Sequence, residues 1–150
     1  MGLFTGMNIS GSALTAERLR MDVISSNMAN ADTTRAEKVN GQWVPYRRKM
    51  VAFSTQPLSF RDQLAAAAGQ GGAPDGGVRV SAIVEDDTPF KLVYDPSNPD
   101  AGPDGYVRMP NVNPLNEMVD LMSATRSYEA NVTVLNANKS MLMKALQIGR

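Results

Sequence analysis

Asn113-Pro114-Leu115-Asn116-Glu117-Met118-Val119-Asp120-Leu121-Met122 opens a stretch that runs from Leu115 to Ile148 with no glycine or proline. Asn113 suits a helix cap, and Pro114 suits the first helical position, where a missing N–H is harmless. Met118, Leu121, Thr125, Tyr128, Val132, Leu135, Lys139, Leu142 and Leu146 then alternate by three and four. This is a heptad seam in which only Thr125 and Lys139 are imperfect. At 1.5 Å per residue the helix would be roughly 50 Å long, more than a small domain needs. A second apolar stripe flanks the seam: Leu115, Val119 and Met122 near the start, then Ala130, Val134, Ala137, Met141, Ala145 and Ile148. One helical partner covers only a narrow seam, so extra stripes call for extra partners.

The N-terminal end carries a matching pattern. Leu3, Met7, Ser10, Leu14, Glu17, Met21, Ile24 and Met28 repeat by four and three. Gly6 and Gly11 each weaken a helix by about 1 kcal/mol relative to alanine, so this helix needs a partner. It should end within 27–34, where Asn, Asp and Thr side chains compete for backbone hydrogen bonds.

The expected organisation is α+β. Residues 1–30 form a heptad helix, and residues 114–150 form another. Residues 31–113 hold an Asn-rich turn and a small β-rich domain with a Gly-rich loop at 69–77. Strand candidates are Trp43–Tyr46, Arg48–Phe53, Val78–Val84, Phe90–Tyr94 and Tyr106–Met109. Pro45 pushes the first of these to an edge. Gln63–Ala68 reads as a helical turn. The two heptad ends can close into a coiled-coil hairpin.

Composition narrows the chemistry. Lysine plus arginine equals aspartate plus glutamate at 15 each, so charge gives no reason to expect nucleic acid or an anionic membrane. Histidine and cysteine are absent. That removes the usual metal ligands, most nucleophile–base pairs and any disulfide. No apolar run is long enough to cross a bilayer, and no cationic start leads into an apolar, cleavable leader. Gly6 stands where a myristoylation motif needs Ser or Thr.

The remaining constellations read as structural. Arg47-Arg48-Lys49 lacks the aromatic interleaving of a nucleic-acid surface and reads as a solvated strand face or protein contact. Asp95–Gly105 is rich in oxygen ligands, but its prolines and missing distal Glu favour turn chemistry over a calcium loop. Glu85-Asp86-Asp87 would point to alternate faces of a strand, so the acids do not converge. Asn131-Val132-Thr133 matches a glycosylation acceptor but lies inside the expected helix. The methionines of the seams fit core filling and an adaptable contact surface equally well.

Ser26-Asn27-Met28-Ala29-Asn30-Ala31-Asp32-Thr33-Thr34 resembles the signature of the flagellar axial family, whose members build the rod and hook. Arg35-Ala36 departs from the Gly-Tyr that many members carry there. Val93–Ala101, Gly105–Pro114 and Glu117–Asn131 resemble a proximal-rod branch of that family. The resemblance implies subunits exported unprocessed by the flagellar type III apparatus, with terminal helices lining a torque-transmitting rod and the middle domain outside. It places the chain in the periplasmic rod of the basal body. Its expected partners are copies of itself, other rod proteins and the export apparatus. No catalysis, cofactor, metal, nucleic acid, small-molecule substrate or direct membrane insertion is expected.

The candidate subunit-interaction residues are Leu3, Met7, Leu14, Met21, Ile24 and Met28 at one end. At the other they are Met118, Leu121, Tyr128, Val132, Leu135, Leu142 and Leu146. Asn27, Asn30, Thr33 and Thr34 are the candidate motif turn. A soluble coiled-coil adaptor is the competing reading; it would need one seam, not several.

Overall fold

Helix nucleation at Asn113 sets the C-terminal element. The Asn113 side-chain oxygen accepts the Leu115 N–H at 3.2 Å, and its carbonyl accepts the Glu117 N–H at 3.0 Å. The computed structural model describes residues 5–56, 64, 67–68 and 76–148. Two helices bracket three two-stranded sheets. Helix α1 spans Thr5–Ala29 (25 residues), and α2 spans Pro114–Ile148 (35 residues), about 52 Å at the usual rise. The strands are β1 (Glu37–Val39), β2 (Gln42–Val44), β3 (Lys49–Thr55), β4 (Val78–Glu85), β5 (Lys91–Tyr94) and β6 (Tyr106–Met109). They pair as β1–β2, β3–β4 and β5–β6. The α+β class is as expected.

The β1–β2 hairpin was not foreseen, although Asn40-Gly41 announces it. Both residues have positive φ, 51° and 86°, which a two-residue hairpin turn requires. Antiparallel pairing then sets Val39 opposite Gln42 and Glu37 opposite Val44. The β3–β4 pair is flanked by Gln56 N–H to Gly77 O at 2.7 Å and Asp86 N–H to Arg48 O at 2.8 Å. That order makes the strands antiparallel. In β5–β6, Lys91 faces Met109 and Tyr94 faces Tyr106.

The loop between β5 and β6 spends its oxygens on its own backbone. Asp95 Oδ1 accepts the Ser97 N–H and hydroxyl at 3.2 and 2.6 Å, and Asn98 Oδ1 accepts the Asp100 N–H at 3.0 Å. Gly105 closes the loop at φ 75°, and a Cβ there would stand 2.9 Å from the Tyr94 ring. The expected helical turn at Gln63–Ala68 and the loop at 69–77 lie largely outside the described residues. Leu64 O does accept the Ala68 N–H at 2.9 Å.

The chain divides into two compact units. One comprises Met1–Leu19, Ala52–Ala82 and Ala124–Arg150, the other Arg20–Val51 and Ile83–Ser123. In the second unit the buried side chains among the described residues are Val23, Ile24, Asn27, Pro45, Tyr46, Val107, Pro110, Val112 and Glu117. In the first, the buried side chains among the described residues are only Ser10, Ala16 and Ala124. A Cβ on Gly6 would lie 3.1 Å from the Asn138 side-chain amide nitrogen. Ser12 accepts the Val78 N–H at 3.1 Å, which ties α1 to the start of β4.

Candidate functional site

Asn27 is the centre of the second unit. It lies in the last turns of α1 and is only 1% exposed. Its Oδ1 accepts the Lys49 N–H at 2.9 Å and the Tyr46 hydroxyl at 3.0 Å. Its amide donates to Lys49 O at 2.8 Å and to Glu117 Oε2 at 3.0 Å. One side chain therefore bonds the end of α1, the 46–49 segment and the first turn of α2.

Glu117 is fully buried. Its second oxygen accepts Arg48 Nε at 2.5 Å. Arg48 also reaches Asp120 at 3.3 Å and Asp86 at 3.7 Å, while its backbone N–H donates to Asn111 Oδ1 at 2.8 Å. Asn111 in turn donates to the carbonyls of Asp86 and Thr88, each at 3.1 Å. Burial works against the Arg48 charge. The Glu117 hydrogen bond and field, with Asp120 and Asp86, outweigh it and hold the guanidinium above its usual range.

This network reassigns the short charge runs. Arg48 is an internal partner, and Arg47 lies over Phe90 at 4.9 Å and 3.7 Å from Asp87. A basic run read as a solvated face or protein contact is thus divided between a buried ion network and an aromatic stack. Glu117→Leu leaves Arg48 part-buried without its main partner, and Arg48→Met leaves Glu117 buried without its guanidinium partner. Each is expected to destabilise by about 3–5 kcal/mol, whereas Arg48→Met with Glu117→Leu should recover most of the loss. Equilibrium urea unfolding of the four proteins completes the cycle.

The motif turn follows directly. The Asn30 amide and backbone N–H both donate to Ser26 O, at 2.9 and 3.1 Å. Thr33 bonds Asn30 through hydroxyl and N–H, both at 3.2 Å. The Thr34 hydroxyl donates to Asp100 at 2.8 Å, as does Arg35 Nε at 2.6 Å. Arg35, the departure from Gly-Tyr, thus ties the turn to the β5–β6 loop.

The carboxylates of this unit set its acid response. Hydrogen bonds from Arg35 and then Thr34 hold Asp100 below the ordinary range. Thr88 hydroxyl and N–H, then Arg48, do the same for Asp86, and Ser97 does so for Asp95. With folded values depressed, the unfolded state binds more protons as pH falls. The stabilisation is fully present above the unfolded value near about 4 and is lost as pH drops through the folded values. With no histidine in the chain, the urea midpoint is expected to be flat between about pH 5 and 7 and to fall steeply below about 4.

The expected seam residues divide in position. Leu3 lies outside the described residues. Met7, Leu14, Met21 and Met28 are half-buried, and Ile24 is buried. Along α2, Leu121, Tyr128, Val132, Leu135 and Leu142 are half-buried, while Met118 and Leu146 are exposed. The sheltered line runs through Glu117, Leu121, Ala124, Tyr128, Asn131, Leu135, Asn138 and Leu142. Its alternate positions are polar or small, each one residue ahead of a seam position, Met118, Thr125, Val132 and Lys139. The flanking stripe stays open: Leu115 is 72% and Val119 61% exposed in one unit, and Met141 61% and Ile148 85% in the other.

The chain's two ends match families of known type. Residues 7–36 match the family described as flagella basal body rod protein, and residues 104–148 match the flagellar basal body rod FlgEFG protein C-terminal family. Over its whole length the chain is 61% identical to flagellar basal-body rod protein FlgC of Bacillus subtilis, with both proteins fully covered. The chain belongs to the FlgC family of flagellar basal-body rod proteins. The FlgC of Salmonella typhimurium is 47% identical, again over both full lengths. That of Borreliella burgdorferi is 44% identical over 99% of this chain and 98% of its own. FlgC-family proteins are structural components of the basal-body rod, not enzymes. The resemblance to the rod proteins at residues 26–34 and 93–131 is thereby borne out, with FlgC as the family. No helix among the described residues is long and apolar enough to cross a membrane.

Proposed function

We propose that this FlgC-family chain is a subunit of the proximal rod. It self-assembles with copies of itself and other rod proteins into a helical tube that encloses the export channel and transmits torque. The observation that carries this reading is the row of exposed apolar residues on α2, from Leu115 and Val119 to Met141 and Ile148. A single chain leaves these side chains in water, and burying each against a neighbour yields about 1.5–3 kcal/mol.

Within this reading the two helices act as a coiled-coil hairpin. Contacts in each unit support it: Gly6 beside Asn138, and Arg20 4.0 Å from Asp120 with Asn27 on Glu117. Higher positions in α1 meet lower positions in α2, as antiparallel helices require. The apolar seams Met7, Leu14, Met21, Ile24, Met28, Met118, Leu121, Tyr128, Val132, Leu135, Leu142 and Leu146 are the subunit contacts, and Asn27, Asn30, Thr33 and Thr34 shape the turn between helix and middle domain. Marginal helices that gain order in the assembly suit a subunit exported through a narrow channel by the type III apparatus into the periplasmic rod.

Electron microscopy of basal bodies from a clean deletion strain tests this. Membrane rings without rod, hook or filament, restored by the gene, are the expected result. Normal flagella on swimming cells would overturn it in favour of a soluble coiled-coil adaptor.

A further inference from the structure

The two ends of α2 carry opposite chemistry. At the start, exposed Leu115 and Val119 adjoin a groove of about 450 Å³ whose lining includes Val119, Asp86 and Asp120. Asp120 is 40% exposed, more than the Arg48 that pairs with it at 24%, while Asp86 is the more sheltered acid at 20%. Asp87, bonded to Arg47, lies fully in solvent. The surface is an apolar patch with an acidic rim.

The other end is its complement. From Ala130 to Arg150 the sequence holds three bases and no acid, and residues 1–16 hold no charged side chain. Lys139 and Lys144 make no ion pair among the described residues. They stand among exposed Met141, Leu146 and Ile148. Bases in the last turn of a helix favour its dipole, but that effect fades within one turn. Lys139 lies more than two turns before Ile148, so the dipole does not account for it.

We infer that the basic, apolar end of α2 in one copy docks on the acid-rimmed apolar surface at the start of α2 in a second copy. This rests on the rod reading and specifies one of its contacts. The two surfaces differ, so the contact is heterologous and leaves one of each free at the ends of a row. Such a contact grows into an open helical array instead of closing into a dimer. Opposite charge around the apolar centre fixes register and disfavours start-to-start and end-to-end pairing.

The chain has no cysteine, which gives crosslinking a clean background. Val119→Cys and Met141→Cys copies would be co-expressed, and isolated basal bodies treated with a mild oxidant. Leu115→Cys with Ile148→Cys serves as a second pair. The expected result is a dimer-sized disulfide band from the mixed copies and none from either variant alone. A band from Val119→Cys alone would show a symmetric contact and overturn the proposal. Incorporated copies that give no band with either pair would also overturn it, and leave the rod reading intact. A tagged wild-type chain missing from basal bodies would remove the rod reading and this contact together.

Discussion

Replacing Asn27 with alanine is expected to destabilise the chain by about 3–5 kcal/mol, a large part of the total for a domain of this size. The side chain satisfies four groups: the Lys49 N–H and carbonyl, the Tyr46 hydroxyl and one Glu117 oxygen. Each group left buried and unpaired costs about 1–3 kcal/mol, partly offset where water enters. Asn27→Asp separates the contributions. It keeps the acceptor for Lys49 and Tyr46, loses both donors, and sets a second carboxylate against buried Glu117. Burial and like charge raise the pKa of that new acid, so its penalty should grow as pH rises above about 4. Denaturant unfolding by far-UV circular dichroism at pH 4 and pH 7 measures both effects. A loss under about 1 kcal/mol for Asn27→Ala would mean that water replaces the amide without strain.

Why Asn27 stood out in the sequence, while its chemistry did not, follows from chain separation. The signature 26–34 marks a turn because Asn, Asp and Thr crowd together there. Nothing local shows that Asn27 meets Glu117, 90 residues on. Glu117 itself reads as an ordinary exposed acid in the first turn of a helix, a favourable place beside the helix dipole. Arg48 sits in a run of three bases that resembles a surface. Buried polar networks are built from long-range pairs, and periodicity detects only apolar residues. The Asn40-Gly41 hairpin is a different case, since its signal was local and present. A strand that begins at Trp43 leaves out its partner Glu37–Val39 on the other side of that turn.

The helices show the same division. Leu121, Tyr128, Leu135 and Leu142 were legible as sheltered positions because leucine and tyrosine stand out at a spacing of seven. The intervening positions are Glu117, Ala124, Asn131 and Asn138, which no hydrophobic count selects. Ala124 is fully buried, and in the same unit Gly6 lies against Asn138. These are close approaches that larger side chains would block. Glycine at position 6, a weakness on helix propensity alone, also leaves room for the Asn138 amide, which a Cβ would meet at 3.1 Å. A line of small and polar residues buries little apolar area, so the isolated chain gains modest stability from it. The apolar residues displaced from that line, Met118 among them, are available for contacts outside the chain.

Val119→Asp should then separate folding from assembly. Val119 is 61% exposed, and valine and aspartate have similar helix propensity. It lies in the second turn of α2, where the helix dipole tolerates an acid. The urea midpoint of the purified chain should therefore move by no more than the equivalent of about 0.5 kcal/mol. In a rod the same position meets a neighbour. A carboxylate there forfeits about 1.5–3 kcal/mol of apolar burial and adds the penalty of an unpaired buried charge, repeated at every copy. The expected phenotype is a stable protein, absent from basal bodies, in a strain without filaments. Leu135→Asp offers the contrast. Leu135 is half-buried, so its substitution should block assembly and also weaken the unit that contains it, while the middle region still folds. A Val119→Asp strain that swims normally would mean that this part of α2 faces solvent in the finished rod, and would overturn the end-to-start contact as well.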